Sequence, residues 1–234
     1  MIITLDGPAG SGKSTTARAV ADRLNHLYLD TGAMYRAVAL AFLRADAKPT
    51  ADAAERFLPD VRISVQHDDA GDMRVALNGD DVTRQIRTQE VGTMASQIST
   101  LRAVREKLVA EQRRIGREQD ATTGGVVLDG RDTGTVVFPE ADLKVFMTAD
   151  LEERARRRQA QYAEEGRHVP LAAVCQEIES RDKKDRERDL APLRKADDAV
   201  VLDTTDKGID EQVDFVVDHV KALDTRGTSF SASD

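Results

Sequence analysis

Apolar positions along the chain recur with two different periods, and the switches between them mark its elements. Ile2, Ile3 and Leu5 make a short apolar run, Ile2–Asp6, of the length expected for a buried strand. After a glycine-rich break, Ala17, Val20, Ala21 and Leu24 recur at i, i+3, i+4 and i+7 and predict an amphipathic helix. His26–Asp30 predicts a second strand and Thr31-Gly32 a turn. A second helix is then expected from near Ala33, with Met34, Ala37, Val38 and Ala41 on one face. Two strand–helix units in succession predict a parallel α/β sheet.

The middle of the chain breaks that rhythm. Val61–Gln66 alternates, with Val61, Ile63 and Val65 on one face; a polar turn, His67–Asp72, leads to Met73–Leu77 and Asn78-Gly79. This is hairpin patterning rather than a parallel crossover. Helical spacing follows over Thr88–Ser99 and from Leu101 through Val104, Leu108 and Ile115, so residues 61–100 read as a small inserted subdomain. The α/β rhythm returns with strands at Val126–Leu128, Leu143–Thr148 and Ala199–Leu202. Asp150 and Glu153 have the spacing of a capping box at the start of a helix. Pro170 opens another, with Leu171, Val174, Cys175 and Ile178 on its apolar face. Ile209, Val213, Val216, Val217 and Val220 mark the last helix, and Thr225–Asp234, without periodicity, is expected to be a frayed tail.

The 234-residue length suits one domain with an insertion. A net charge of −8 argues against general nucleic-acid binding. A single cysteine, Cys175, excludes an internal disulfide and a thiol metal cluster, and its place on an apolar helix face makes it core. No apolar run approaches ~18 residues, and the N-terminus lacks a signal-peptide layout. The expectation is a cytoplasmic protein without a membrane partner, and a monomer, since no long apolar surface stripe demands a partner. The four histidines are scattered, without metal-ligand spacing.

The glycine-rich break is Gly7-Pro8-Ala9-Gly10-Ser11-Gly12-Lys13-Ser14, which fits G-x-x-x-x-G-K-[ST] between a strand and a helix. Such a loop points successive backbone N–H groups at an anion, and the helix adds the positive end of its dipole. Lys13 supplies a cation for the β- and γ-phosphates and the Ser14 hydroxyl a ligand for Mg²⁺. The guanine-reading N-K-x-D string of GTPases is absent, as is an apolar strand ending in an Asp-Glu pair. Arginines at Arg36, Arg131, Arg181 and Arg188 would suit a site holding two phosphorylated molecules. Asp129-Gly130-Arg131-Asp132 ends a strand at the edge where α/β sheets bind ligands. There Asp129 can hold Mg²⁺ through water and Arg131 can grip a phosphate; the alternative is a surface turn with an internal ion pair. Arg154, Arg156, Arg157 and Arg158 lie within five positions and repel one another unless an anion joins them, as in a lid closing over triphosphate. The bland reading is a solvated helix face. Arg181–Arg188 mixes signs, and there a salt-bridged exposed helix is the stronger alternative.

Beyond the loop, the strings Asp30–Arg36, Ile86–Val91, Ala95-Ser96-Gln97, Val104-Arg105, Asp129–Pro139 and Arg181–Leu193, in this order and spacing, resemble the bacterial cytidylate kinase family from Ile2 to about Leu223. The resemblance implies a parallel-sheet P-loop kinase core at residues 1–60 and 101–224, with a short helical lid at about 152–170. It also implies a nucleoside-monophosphate-binding insertion at 61–100 and a flexible tail at 225–234. The implied activity is MgATP-dependent phosphorylation of CMP or dCMP. Gly7, Pro8, Ala9, Gly10, Ser11, Gly12, Lys13, Ser14 and Thr15 would bind ATP. Thr31, Tyr35, Arg36, Arg131 and Arg188 would surround the CMP phosphate, with Asp129 beside them. Ser96, Arg105 and Asp132 would read cytosine, and Arg181 and Asp185 would hold the sugar. Lys13, Arg131, Arg154, Arg158 and Arg188 would carry the catalytic charge. A carboxylate accepts from the cytosine N4 amine, which uracil lacks, so the Asp132 assignment is chemically apt. Thr31 replaces the serine of many members, and Arg114–Gly125 is more polar than the family leads one to expect. The competing readings are a P-loop kinase of another small acceptor such as shikimate, and a nucleotide-binding regulator without turnover.

Overall fold

A computed structural model of the chain describes residues 1–68, 71–164 and 166–228, with side chains as far as Leu223. Its centre is a five-stranded sheet of β1 (Ile2–Asp6), β2 (Leu27–Asp30), β6 (Val126–Gly130), β7 (Leu143–Thr148) and β8 (Val200–Asp203). The strand order is β2-β6-β1-β7-β8 and every pairing is parallel. Ile3, Leu5, Val127 and Leu128 are fully buried, because helices cover both faces and leave no polar side for these strands. The successors of β1 and β6 lie on opposite sides, so the chain reverses direction around β1. A crevice opens at the carboxyl ends of the strands at such a point.

α1 (Lys13–Leu24) and α2 (Thr31–Arg44) follow β1 and β2. The expected turn at Thr31-Gly32 is instead the first turn of α2. The Asp30 side chain accepts from the Ala33 N–H at 2.8 Å, a cap that starts the helix directly at the strand end. α3 (Ala51–Phe57) adds a short helix capped by Thr50.

β3 (Ile63–His67) and β4 (Met73–Leu77) form the anticipated antiparallel hairpin, and β5 (Asp80–Asp81) completes a separate three-stranded sheet. Two residues of the predicted turn, 69 and 70, lie outside the described residues. Met73, Val75, Leu77, Val82, Ile86 and, from α4 (Gln89–Ile98), Val91 and Ile98 are buried in the same core as the main sheet. The small sheet is therefore separate in hydrogen bonding but not in packing.

α5 (Arg102–Thr123) runs through the polar stretch that departs from the family pattern. Arg114 bridges Glu111 at 2.5 Å and Glu118 at 2.6 Å, one turn to either side, so the polar face remains helical. α6 (Leu151–Glu164) and α7 (Leu171–Glu187) pair through a second core of Ala155, Tyr162, Val174 and Ile178. The predicted capping box does not form: the Asp150 N–H donates to Thr205 Oγ1 at 3.0 Å, and Glu153 binds Arg157. α8 (Ile209–Thr228) packs on α1 and extends into the predicted tail as far as Thr228; residues 229–234 lie outside the described residues. No helix among the described residues is long and apolar enough to cross a membrane.

Candidate active site

The loop after β1 is shaped by two glycines. At Gly7 a Cβ would stand 2.1 Å from the Met147 carbonyl oxygen, so only hydrogen allows the loop to pass β7. Gly12, at φ 89°, takes a left-handed turn immediately before α1. Within the loop, Lys13 Nζ donates to the Pro8 carbonyl at 2.6 Å and to Ser11 Oγ at 3.3 Å. Burial, with Arg131 nearby, holds the Lys13 ammonium well below its ordinary pKa. A group in that condition gains from a neighbouring anion that restores its charge.

Three carboxylates meet at the carboxyl edge because the parallel registers align Leu5 with Asp129 and Asp129 with Asp30. Asp6, at the end of β1, accepts from the Thr133 N–H (2.9 Å), Thr133 Oγ1 (2.8 Å) and the Gly134 N–H (2.7 Å). It thereby fixes the π-helical turn Thr133–Val137 that comes after the Asp129–Asp132 string. Asp129 accepts from Ser14 Oγ at 2.6 Å and from the Tyr28 hydroxyl at 2.8 Å, and its backbone carbonyl accepts from Thr31 Oγ1 at 2.7 Å. Burial, and then the Asp30 charge, push its carboxyl up to about 6. Asp30 in turn pairs with Arg87 at 3.0 Å. Neither Asp6 nor Tyr28 was visible as a site residue in the sequence, since each acts through a partner about a hundred positions away.

Two cavities open on this edge. The larger, about 570 Å³, is bordered by Gly10, Gly12, Lys13, Ser14 and Thr15 on one side and by Arg157, Arg158, Glu177, Lys207 and Gln212 on the other. The second, about 230 Å³, is lined by Thr31, Tyr35, Arg36, Ser96, Asp129, Asp132, Asp185 and Arg188, with Arg87 and Ser99. Ser14, Arg131 and Arg181 border both.

The cations around these cavities fall into two kinds. Arg131 Nε donates to Asp185 at 2.9 Å, and this partner, against the pull of burial, holds the guanidinium above its ordinary pKa. Asp132 is paired with Arg105 and, at 3.3 Å, with Arg188. Arg36 instead donates to the Ile86 and Thr88 carbonyls, at 2.9 and 3.2 Å. Arg181 has no carboxylate partner of its own among the described residues, and burial followed by repulsion from Arg131 pulls it down to about 10. An arginine so placed between two cavities is built to receive an anion.

The structure redistributes several predicted residues. Arg154 is buried and donates to the Ala149 and Ala9 carbonyls and to Asp182; it borders neither cavity, so it has no free face for a substrate. Arg105 lies behind Asp132 rather than on the cavity wall. The arginine cluster needs no anion to coexist: Arg156 pairs with Glu152, Arg157 with Glu153 at 2.9 Å, and Arg158 lies 4.5 Å over the Tyr162 ring. The charged stretch from Arg181 onward forms the last turns of α7, and it is not an exposed ion-pair face, because Asp182 and Asp185 are buried. Lys207 and Gln212 border the larger cavity with no motif around them in the sequence, whereas Arg157, which borders it too, is legible as a member of the arginine cluster.

A parallel sheet with a phosphate loop at its switch point, and a second cavity lined with arginines and aspartates joined to the first, define the phosphate-loop class of nucleotide-binding proteins. Residues 3–222 match the family described as Cytidylate kinase. The chain is 62% identical over 229 residues to the cytidylate kinase of Salinibacter ruber, covering 97% of this chain and 100% of that one. It is 46% identical over 222 residues to that of Symbiobacterium thermophilum, covering 94% and 96%. To that of Chloroherpeton thalassium it is 48% identical over 217 residues, covering 91% and 90%. The chain belongs to the cytidylate kinase family and is a nucleoside monophosphate kinase.

Proposed function

We propose that the enzyme transfers the γ-phosphoryl group of ATP directly to CMP and dCMP, in line and without a covalent enzyme intermediate. The observation that carries this reading is the sharing of Ser14, Arg131 and Arg181 by two cavities, one on the phosphate loop and one on the Asp132 side. Donor and acceptor phosphates meeting at that border are both reached by Arg131 and Arg181. In this reading Gly7–Thr15 cradle the triphosphate, and Thr31, Tyr35, Arg36, Arg131 and Arg188 surround the acceptor phosphate. Asp185 holds the sugar, and Arg181, expected there with it, is given instead to the phosphate border that it shares with Arg131. Ser96 and Asp132 face the base, with Arg105 holding the Asp132 carboxylate in place. Residues 61–100 serve as the acceptor-binding insertion and residues 152–170, from α6 to the start of α7, as the lid.

An acceptor phosphate oxygen attacks the γ-phosphorus while the bond to the β–γ bridging oxygen breaks, and the negative charge leaves with ADP. Phosphate is already mostly ionised at neutral pH, so the step requires no strong general base. Lys13, Arg131 and Arg158 supply positive charge where it is needed, and positioning dominates the rate. The hard oxygen donors Ser14 Oγ and Asp129, 2.6 Å apart, suit Mg²⁺, the serine directly and the carboxylate through water. Bound there with ATP, the ion would neutralise charge on the β- and γ-phosphates. Localisation in the cytoplasm and a monomeric state complete the reading.

A coupled ADP-release assay with CMP, dCMP, UMP, AMP and shikimate tests it. Turnover is expected with CMP and dCMP and to require Mg²⁺. Absence of ADP release with either cytidine nucleotide refutes the proposal.

A further inference from the structure

A buried ion pair outside both cavities grips the phosphate loop from behind. Asp182 on α7 accepts from the Ala9 N–H at 3.2 Å. Arg154 on α6 donates to the Ala9 carbonyl at 3.0 Å through the same Nη1 that meets Asp182 at 2.5 Å. Arg154 Nε is anchored on the Ala149 carbonyl at 3.0 Å. The two side chains are 7% and 2% exposed. Both polar groups of Ala9 are thus engaged by residues from two helices distant in sequence. The next residue, Gly10, takes φ 77°, and a Cβ there would stand 3.0 Å from the Arg154 carbonyl oxygen.

Folding stability alone does not account for such a pair. Desolvating two charges costs as much as their attraction returns, and well-packed apolar replacements are often neutral or stabilising. What the pair does that apolar groups cannot is fix the direction of one peptide. With its N–H turned to Asp182, Ala9 is removed from the donors facing the cavity, and the residues after it carry that task. A loop preorganised in this way spends no binding energy on ordering itself around an anion.

We propose that Arg154 and Asp182 are positioning residues that hold Ala9, so that triphosphate affinity depends on how the α6–α7 hairpin is seated. The inference rests on the reading of Gly7–Thr15 as the ATP site. It adds that the lid helices act on the loop through its backbone, and not only through arginines that reach substrate.

The test compares wild type with Asp182→Asn, Arg154→Met and the double variant Arg154→Met/Asp182→Leu. Calorimetry measures binding of a non-hydrolysable ATP analogue and of CMP, and thermal unfolding monitors folding. Asp182→Asn keeps an acceptor for Ala9 and weakens analogue binding modestly. Arg154→Met and the double variant weaken it at least about tenfold, with CMP affinity within about twofold of wild type. In the double variant the melting temperature returns toward wild type while analogue affinity does not; a purely structural pair would recover both together. Wild-type analogue affinity in a folded double variant overturns the inference. Failure of wild type to phosphorylate any cytidine nucleotide would bear on the proposed reaction, and it leaves this binding comparison readable.

Discussion

Replacing Asp129 with Asn separates what the site costs the fold from what it gives to the reaction. The side chain is buried, and burial, followed by the nearby Asp30, raises the carboxyl from an ordinary 3.8 to about 6. A group that titrates higher in the folded chain than in the unfolded one binds its proton more tightly when folded. Its contribution to stability is therefore full below about pH 3.8 and is lost as pH rises through about 6. At about 1.4 kcal/mol per pH unit, holding the ionised carboxylate costs up to about 3 kcal/mol at neutral pH. Asn keeps an acceptor but carries no charge to desolvate. It weakens one of the two hydroxyl bonds, from Ser14 or Tyr28, at about 1 kcal/mol. A net gain of about 1–2 kcal/mol remains, or a Tm rise of roughly 2–8 °C for a chain of this size. Scanning calorimetry on nucleotide-free protein in EDTA, from about pH 5 to about pH 8, should show Asp129→Asn more stable at the alkaline end. The gap should shrink toward the acid end. Mg²⁺-dependent turnover should fall steeply in the same variant, which would then be more stable and less active. A variant no more stable than wild type at about pH 8, or a gap independent of pH, refutes the reasoning.

Other substitutions probe the two halves of the site. Asp132→Ala should lower kcat/KM for CMP about 10–100-fold more than for UMP, because only cytosine carries an N4 amine that loses its acceptor; equal losses would show that Asp132 does not read the base. Lys13→Ala should reduce kcat by about a hundredfold or more while CMP binding by calorimetry is unchanged. A parallel loss of CMP affinity would place Lys13 in a merged site instead. Arg181→Gln should raise KM for both ATP and CMP, since this guanidinium borders both cavities; an effect on one substrate alone would confine it to that side.

Local features were legible in the sequence wherever their cause was local. The phosphate loop sits in register with its strand and helix because each piece is specified within a few residues. The β3–β4 hairpin followed equally from simple alternation. Thr31-Gly32 has the composition of a turn, but the Asp30 side chain caps the Ala33 N–H and makes it the first turn of α2. At the site, charge repulsion and exposure are set by partners from other elements, which helical spacing alone does not show. The arginines of α6 are relieved by Glu152, Glu153 and the distant Asp182. The mixed charges of α7 are partly buried because that helix lies against the loop after β1 and the loop after β6. Lys207 and Gln212 border the larger cavity from the segment before α8 and from α8 itself, where no motif surrounds them.

The spacing of charges along α7 and its C-terminal cap explains why one helix can serve both cavities. Asp182 reaches the phosphate loop, Asp185 reaches Arg131 at the shared border, and Arg188 reaches Asp132 in the smaller cavity. These positions fall at i, i+3 and i+6, a stripe on one side of the helix about 9 Å long at 1.5 Å per residue. Each contact is with a different loop position and is an anchor of its own, so removing the Asp182 carboxylate leaves Asp185 on Arg131 and Arg188 on Asp132. Arg181, at the donor end of the stripe, is the member left without a carboxylate of its own, and it borders both cavities. Anion binding at the border would therefore pull on the same helix that orients Ala9 on one side and Asp132 on the other. With ATP and CMP in the two cavities as proposed, α7 is the element common to both, through Asp182 and Ala9 on one side and Arg188 and Asp132 on the other.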